Sequence, residues 1–270
     1  LRFFKKDKEW PRREFHSIYF ALLELLSLNE KKGGIELSIF QDLVEAILQS
    51  GVNKEKYIEI IGICKSTWIE TASYKYLENG ISLLEIFLDF PCPDVEERLA
   101  LFIDFSNSIQ AFFRKLNRNE RKVLQYLYSD FRQEETWKVA EAQQKYGENA
   151  EENSGGDIWE KLSGKTIGIY TLMESVSQRV RDIIKSNNNN VNIIINNEKS
   201  GSETLKNMVK VSDILLVATA SAKHAATIFI EQNLSGNTLY LRPEGKGSSS
   251  MLNILEKALQ EEEQLLIANY

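Results

Sequence analysis

Ser212-Asp213-Ile214-Leu215-Leu216-Val217-Ala218-Thr219-Ala220-Ser221-Ala222-Lys223-His224 joins a polar start, an unbroken apolar run and a turn of small residues that leads into a helical pattern. An apolar run without alternation suits a strand buried on both faces, which is the position of an interior strand in a parallel sheet. Three further runs of this kind flank it. They are Thr166 to Thr171 (TIGIYT), Val191 to Asn196 (VNIIIN) and Thr238 to Leu241 (TLYL), each followed, like 213–219, by a plausible helix. Strands alternating with helices imply parallel pairing through crossovers, and right-handed crossovers make 2-1-3-4 the expected order. The expectation for residues 158–270 is therefore a small four-stranded Rossmann-like, or flavodoxin-like, α/β domain.

Upstream of this region the apolar period changes from strand to helix. Ile18, Leu22, Leu23, Leu25 and Leu26 recur at three- and four-residue intervals, and further helical candidates cover 35–49, 54–77, 95–116 and 119–145. Breaks are expected at Gly33-Gly34, Gly51, Asn79-Gly80 and Pro91-Cys92-Pro93, and Asp94 with Glu97 has the spacing of a capping box. Aromatic residues concentrate here: of 27 Phe, Tyr and Trp, only Tyr170, Phe229, Tyr240 and Tyr270 lie beyond residue 160. The stretch 147–157 (GENAEENSGGD) is too polar to compensate the entropy of its own ordering. The division expected is a helical domain at 1–146, a linker at 147–157 and the α/β domain at 158–270.

Composition narrows the function. With 270 residues and 43% hydrophobic content, the chain can bury sizeable cores. A net charge of −6 argues against a globally basic nucleic-acid binder. Cys64, Cys92, His16 and His224 match no zinc or haem spacing, so no metal is expected. No apolar run approaches the roughly 18 residues of a membrane span, and residues 1–8 lack a secretory apolar core. A cytoplasmic protein without disulfides is expected, and its start at Leu1 in place of Met points to a trimmed chain, a processed product or the tail of something longer.

Several motif readings fail on context. Ser163-Gly164-Lys165-Thr166 resembles the end of a phosphate-binding Walker loop, but Trp159 stands where its first glycine belongs, and the motif precedes a strand. The turn after the first strand, Thr171 to Ser175, has no glycine for a dinucleotide. Asp213 sits at the wrong end of its strand for a phosphorylated receiver. Residues 122–147 mimic a helix-turn-helix with Gly147 as the turn, yet Glu148, Glu151 and Glu152 would repel phosphates, which favours two packed helices. The basic start, Arg2, Lys5, Lys6, Lys8, Arg12 and Arg13 among Phe3, Phe4 and Trp10, could stack single-stranded nucleic acid. A docking arm is the preferred reading.

Ligands of open α/β sheets bind beyond the carboxyl ends of the strands, where strand order reverses. Thr171, Glu174, Thr219, Ser221, Lys223 and His224 would face that point, with His224 in the first turn of a helix capped by Ser221. Strand four runs into Arg242-Pro243-Glu244-Gly245-Lys246-Gly247-Ser248-Ser249-Ser250, where Arg242, Lys246, Gly247 and Ser248 suit a phosphate or carboxylate at a helix start.

Residues 165–259 resemble a family of small bacterial Rossmann-like domains of unknown function. The features that carry the resemblance are the strand IGIYT, Asp213 opening an apolar strand that ends in Thr219, His224 soon after, and Leu239-Tyr240-Leu241-Arg242 followed by serines. Thr171-Leu172 replaces the glycine pair common there, and the resemblance implies a fold more than a chemistry. The expected function is regulation or interaction: the α/β domain binds a small anionic, nucleotide-like ligand, and the helical domain contacts a protein partner or another copy of the chain. Two alternatives are a structural subunit of a larger assembly and a nucleotide-processing hydrolase or transferase with His224 as base and Glu174 as acid. Nothing in the sequence names a cofactor.

Overall fold

The computed structural model describes residues 10–30, 32–145, 158–218 and 224–268. The chain divides into two compact units, Leu1–Lys145 and Tyr146–Tyr270. Residues 147–157, read as a linker, and most of the basic start lie outside the described residues.

The first unit is helical: α1 His16–Ser27, α2 Gly34–Ser50, α3 Lys54–Thr71, α4 Leu77–Asp89, α5 Val95–Ile109, α6 Arg118–Asp130 and α7 Glu134–Lys145. Local chemistry sets most ends. Asn53 caps α3 by accepting from the Lys56 amide, and Asp94 caps α5 by accepting from the Glu97 amide. Asn117 and Glu120 form a reciprocal capping box on α6, with both bonds at 2.8 Å. Gly51, at φ +85°, stops α2 in a conformation that other residues adopt only with strain. The core is aromatic. Phe102 stacks on Phe131 and meets Tyr128 edge-on, while Trp137 packs against both Tyr128 and Phe113.

Several helix expectations are corrected. The span 54–77 is not one helix, since α3 ends at Thr71 and Leu77 opens α4, and in 95–116 the α-helix ends at Ile109 and a 3-10 segment follows. Asn79-Gly80 does not break a helix; both residues lie inside α4. Gly80 serves packing, because a Cβ there would come within 2.5 Å of the Trp68 ring and 2.6 Å of the Phe105 ring. The span 119–145 is two helices, since Arg132 turns to φ 57° and its amide bonds to Ser129 O while that of Gln133 bonds to Tyr128 O. This pair of bonds is a Schellman ending without glycine. Burial of Trp137 on the far side of the turn offsets the strain at Arg132. The turn thus falls at 131–133, whereas Gly147 lies outside the described residues.

The second unit is a parallel sheet with helices on both faces. Its elements are β1 Thr166–Tyr170, α8 Glu174–Asn187, β2 Asn192–Asn196, α9 Glu203–Val211, β3 Ile214–Val217, α10 His224–Asn233, β4 Leu239–Leu241 and α11 Ser248–Ala268, in the strand order β2-β1-β3-β4. In register, Tyr170 stands beside Asn196 on one side and Val217 on the other. Tyr170, Leu215 and Val217 share a core with Leu205, Met208 and Val209 of α9 and Ala226 and Ile230 of α10. The alternating residues Ile167, Ile169 and Leu216 turn to the opposite face, where α8 and α11 pack together. Full burial of one such side chain contributes about 1.5–3 kcal/mol. Asp213 ties the strand starts together: its carboxylate accepts from the Thr166 amide at 2.7 Å and its carbonyl from the Leu239 amide at 2.8 Å. Asn188 and Asn190 form an ordered turn that holds Trp159 O and Ser163 Oγ.

Gly168 lets α9 approach β1. A Cβ at this position would meet Ser212 Oγ at 2.5 Å and Leu215 Cδ1 at 2.6 Å, and the serine hydroxyl is already held by Met208 O. Gly168→Ala should lower stability by about 1–3 kcal/mol through overpacking. By contrast, Gly62→Ala, on the exposed side of α3 with nothing near its Cβ, should raise stability by about 0.5–1 kcal/mol. Urea unfolding of both variants checks the two signs.

Candidate functional site

In a parallel sheet joined by crossover helices, every helix starts where the preceding strand ends. The amino termini of α8, α9, α10 and α11, with their partial positive charges, therefore open on one rim. Strand order reverses between β1 and β3, which places the crevice of this fold type between the loops that follow them.

The loop after β1 is tightly internal. Thr171 is buried, its hydroxyl accepts from the Met173 amide at 3.2 Å, and its carbonyl accepts from Asn197 Nδ2 at 2.6 Å. It builds the turn. Glu174 opens α8 with an exposed side chain, and its carbonyl accepts from the Ser177 hydroxyl. Thr219, Ser221 and Lys223 lie outside the described residues, and of His224 only its place as the first residue of α10 is described.

The loop after β4 has a different character. Arg242 is exposed and pairs with Glu231 of α10 at 3.2 Å, beside the Tyr240 ring. Lys246 is only 2% exposed, and Ser248 and Ser249 are fully buried. Gly247 precedes α11, and its carbonyl accepts from the Met251 amide at 3.3 Å. A glycine in this capping position offers no side-chain oxygen to the first-turn amides. Ser250 Oγ accepts from the Gly245 amide, whereas the buried Ser249 Oγ has no hydrogen-bond partner among the described residues. The predicted residues thus form two lips. Thr171 with Glu174 and Arg242 with Lys246, Gly247 and Ser248 stand two strands apart, about 10 Å by strand spacing.

A polar cluster that sequence reasoning missed lies beside Thr171, at the end of β2. Asn196 Nδ2 donates to Glu198, the Ser202 hydroxyl donates to the same carboxylate, and Tyr170 Oη donates to the Glu198 carbonyl at 2.8 Å. The bonds from Ser202 and then Asn196 hold the Glu198 carboxyl below the usual range. The signal was Asn196-Asn197-Glu198 at a strand's carboxyl end, with Ser202 as the next helix cap. The rim carries Glu174 and Glu198 with Lys199 over β1 and β2, and Arg242, Glu244 and Lys246 over β4. Among the described residues no cluster of three His, Cys, Asp or Glu could hold a metal ion, and no helix is long and apolar enough to cross a membrane.

A family model described as DpdD-like matches residues 1–254. The chain belongs to the DpdD-like family. The match takes in the helical unit and continues into α11, so both units belong to the DpdD-like region, and it does not confirm the expected resemblance of residues 165–259 to small Rossmann-like domains. No curated protein and no solved structure matches.

Burial, and then the charge of Glu198, push the Tyr170 phenol up to about 12. Folding thus favours the protonated phenol, whose contribution is complete below pH 10 and is lost as pH rises from 10 through 12. The urea midpoint should fall more steeply across that window in the intact protein than in Tyr170→Phe. Equal slopes would remove Tyr170 as the cause.

Proposed function

We propose that this DpdD-like protein is a regulatory or interaction protein whose α/β unit binds a small anionic, nucleotide-like ligand at the start of α11. The observation that carries this reading is the β4–α11 junction. It places a buried lysine, a glycine in the capping position and a buried serine hydroxyl with no partner among the described residues at the positive end of a long helix.

In this reading the helical unit contacts the protein partner. Ile18, Leu22 and Leu25 recur along α1 at helical spacing and are 48%, 36% and 66% exposed. The same stripe supports the second reading, a structural subunit of a larger assembly with no ligand. Unpaired Cys64 and Cys92 accord with a cytoplasmic setting.

Calorimetric titration of the purified protein with inorganic phosphate and with adenosine 5′-monophosphate tests the ligand reading. Binding of either is expected to weaken more than tenfold in Lys246→Gln and about tenfold in Ser249→Ala. Arg242→Ala should change it less than about threefold, because that exposed guanidinium is already engaged by Glu231. Absence of binding by the intact protein, or full retention in Lys246→Gln, would overturn the assignment and favour the subunit reading.

A further inference from the structure

Among the described residues the sheet ends in two edge strands, β4 and β2, and they differ in character. β4 is three residues long and runs into Arg242 and Pro243. Short length, charge and proline are common means by which an edge avoids pairing with another chain. β2 has none of them. Asn192-Ile193-Ile194-Ile195-Asn196 carries no charge and no proline, and it pairs with β1 over all five residues without a bulge. Its three isoleucines are half-buried.

Pairing with β1 fixes which backbone groups of β2 face outward. The Asn192 amide donates to the Lys165 carbonyl at 2.9 Å, and the Asn196 carbonyl accepts from the Thr171 amide at 3.4 Å, so the even-numbered residues turn their backbone groups toward β1. Direction alternates along a strand. The groups of Val191, Ile193 and Ile195 therefore point away from the sheet. Lys185 Nζ of α8 donates to the Val191 carbonyl and closes the edge at that end. The outward amides and carbonyls of Ile193 and Ile195 have no hydrogen-bond partner among the described residues, and such groups are strong donors and acceptors.

The segment is also a palindrome, NIIIN, and an isologous contact requires a surface complementary to itself. With a two-fold axis through Ile194, antiparallel pairing sets Ile193 opposite Ile195 of a second copy and Asn192 opposite its Asn196. Both members of each Ile193–Ile195 pair have outward groups, so each pair exchanges two bonds and every outward group of these residues is satisfied. Neighbouring registers do worse. An axis at Ile193 would set Ile195 against Val191, whose carbonyl Lys185 holds, and an axis at Ile195 would set Ile193 against Asn197, beyond the end of β2. We propose that the α/β unit docks a second copy of this chain through β2, joining the two sheets into one of eight strands across an axis at Ile194. The contact is independent of the anion site at the start of α11.

The test uses the full chain. Sedimentation equilibrium is expected to show a dimer with a micromolar dissociation constant, because a ladder of this length makes a small interface. Ile193→Pro removes one outward amide from each copy while the bonds to β1 stay in place, so it should weaken association more than tenfold with an unchanged circular dichroism spectrum. Cysteine cross-linking reads the register separately. Ile194 meets its own counterpart at a non-hydrogen-bonded position, with Cα atoms about 4.5 Å apart, so Ile194→Cys should form a dimer disulfide on mild oxidation. Asn192→Cys should not, since its counterpart is displaced by about 13 Å along the strand, and both variants keep the native Cys64 and Cys92. If Ile193→Pro loses its circular dichroism spectrum, the cysteine pair decides alone. The proposal is overturned by a monomer at about 100 μM, by a folded Ile193→Pro that dimerises as the parent does, or by equal cross-linking of Asn192→Cys and Ile194→Cys.

Discussion

β1 is hydrogen-bonded on both edges, to β2 through Thr166–Tyr170 and to β3 through Ile167–Tyr170, and the α/β unit is arranged around this double pairing. A parallel strand with two parallel neighbours must be reached by crossovers over both faces, so both faces must be apolar and covered. Tyr170 shows the consequence in one residue. Its ring belongs to the core under α9 and α10, and its hydroxyl reaches past the end of the strand to the Glu198 carbonyl. Core packing and rim geometry therefore meet at the carboxyl end of β1. Gly168 completes the arrangement, since only a residue without Cβ lets the end of α9 close over this strand.

The helical unit answers a different constraint. Its core is built from large rings whose planes must be accommodated, and small residues are placed where two rings converge. Gly80 lies inside α4, where glycine costs about 1 kcal/mol of helix propensity, yet it admits both Trp68 and Phe105. Arg132 accepts a left-handed conformation so that Trp137 can fold back on Phe113 and Tyr128. In both cases a local rule yields to ring packing. The indole held against Gly80 carries an N–H with no hydrogen-bond partner among the described residues.

The rim of the sheet joins two chemistries. Over β1 and β2, side chains satisfy one another: Thr171, Asn197 and Ser177 are linked, and Glu198 is held by Ser202 and Asn196. Over β4, Lys246 and Ser248–Ser250 are drawn into the interior beside the start of α11. A closed hydrogen-bonded network rigidifies a loop, whereas the positive end of a helix favours an incoming anion. This contrast separates Thr171, which builds its turn, from Lys246 and the serines, which carry the ligand reading.

The sequence by itself determined the helical and α/β parts, the four strands and their order, because hydrophobic period and crossover handedness are local or topological rules that need no distances. It also marked the β4–α11 loop, since glycine, serine and cations before a helix are visible in one short stretch. Only the tertiary structure decided that Asn79-Gly80 continues a helix and that 119–145 breaks at Arg132, because both depend on rings brought together from distant positions. It alone joined Thr171 to Asn197 and engaged Arg242 with Glu231. The physical reason is the same throughout: propensity and period act between near neighbours in the chain, whereas burial and hydrogen-bond satisfaction are settled by partners that only folding supplies.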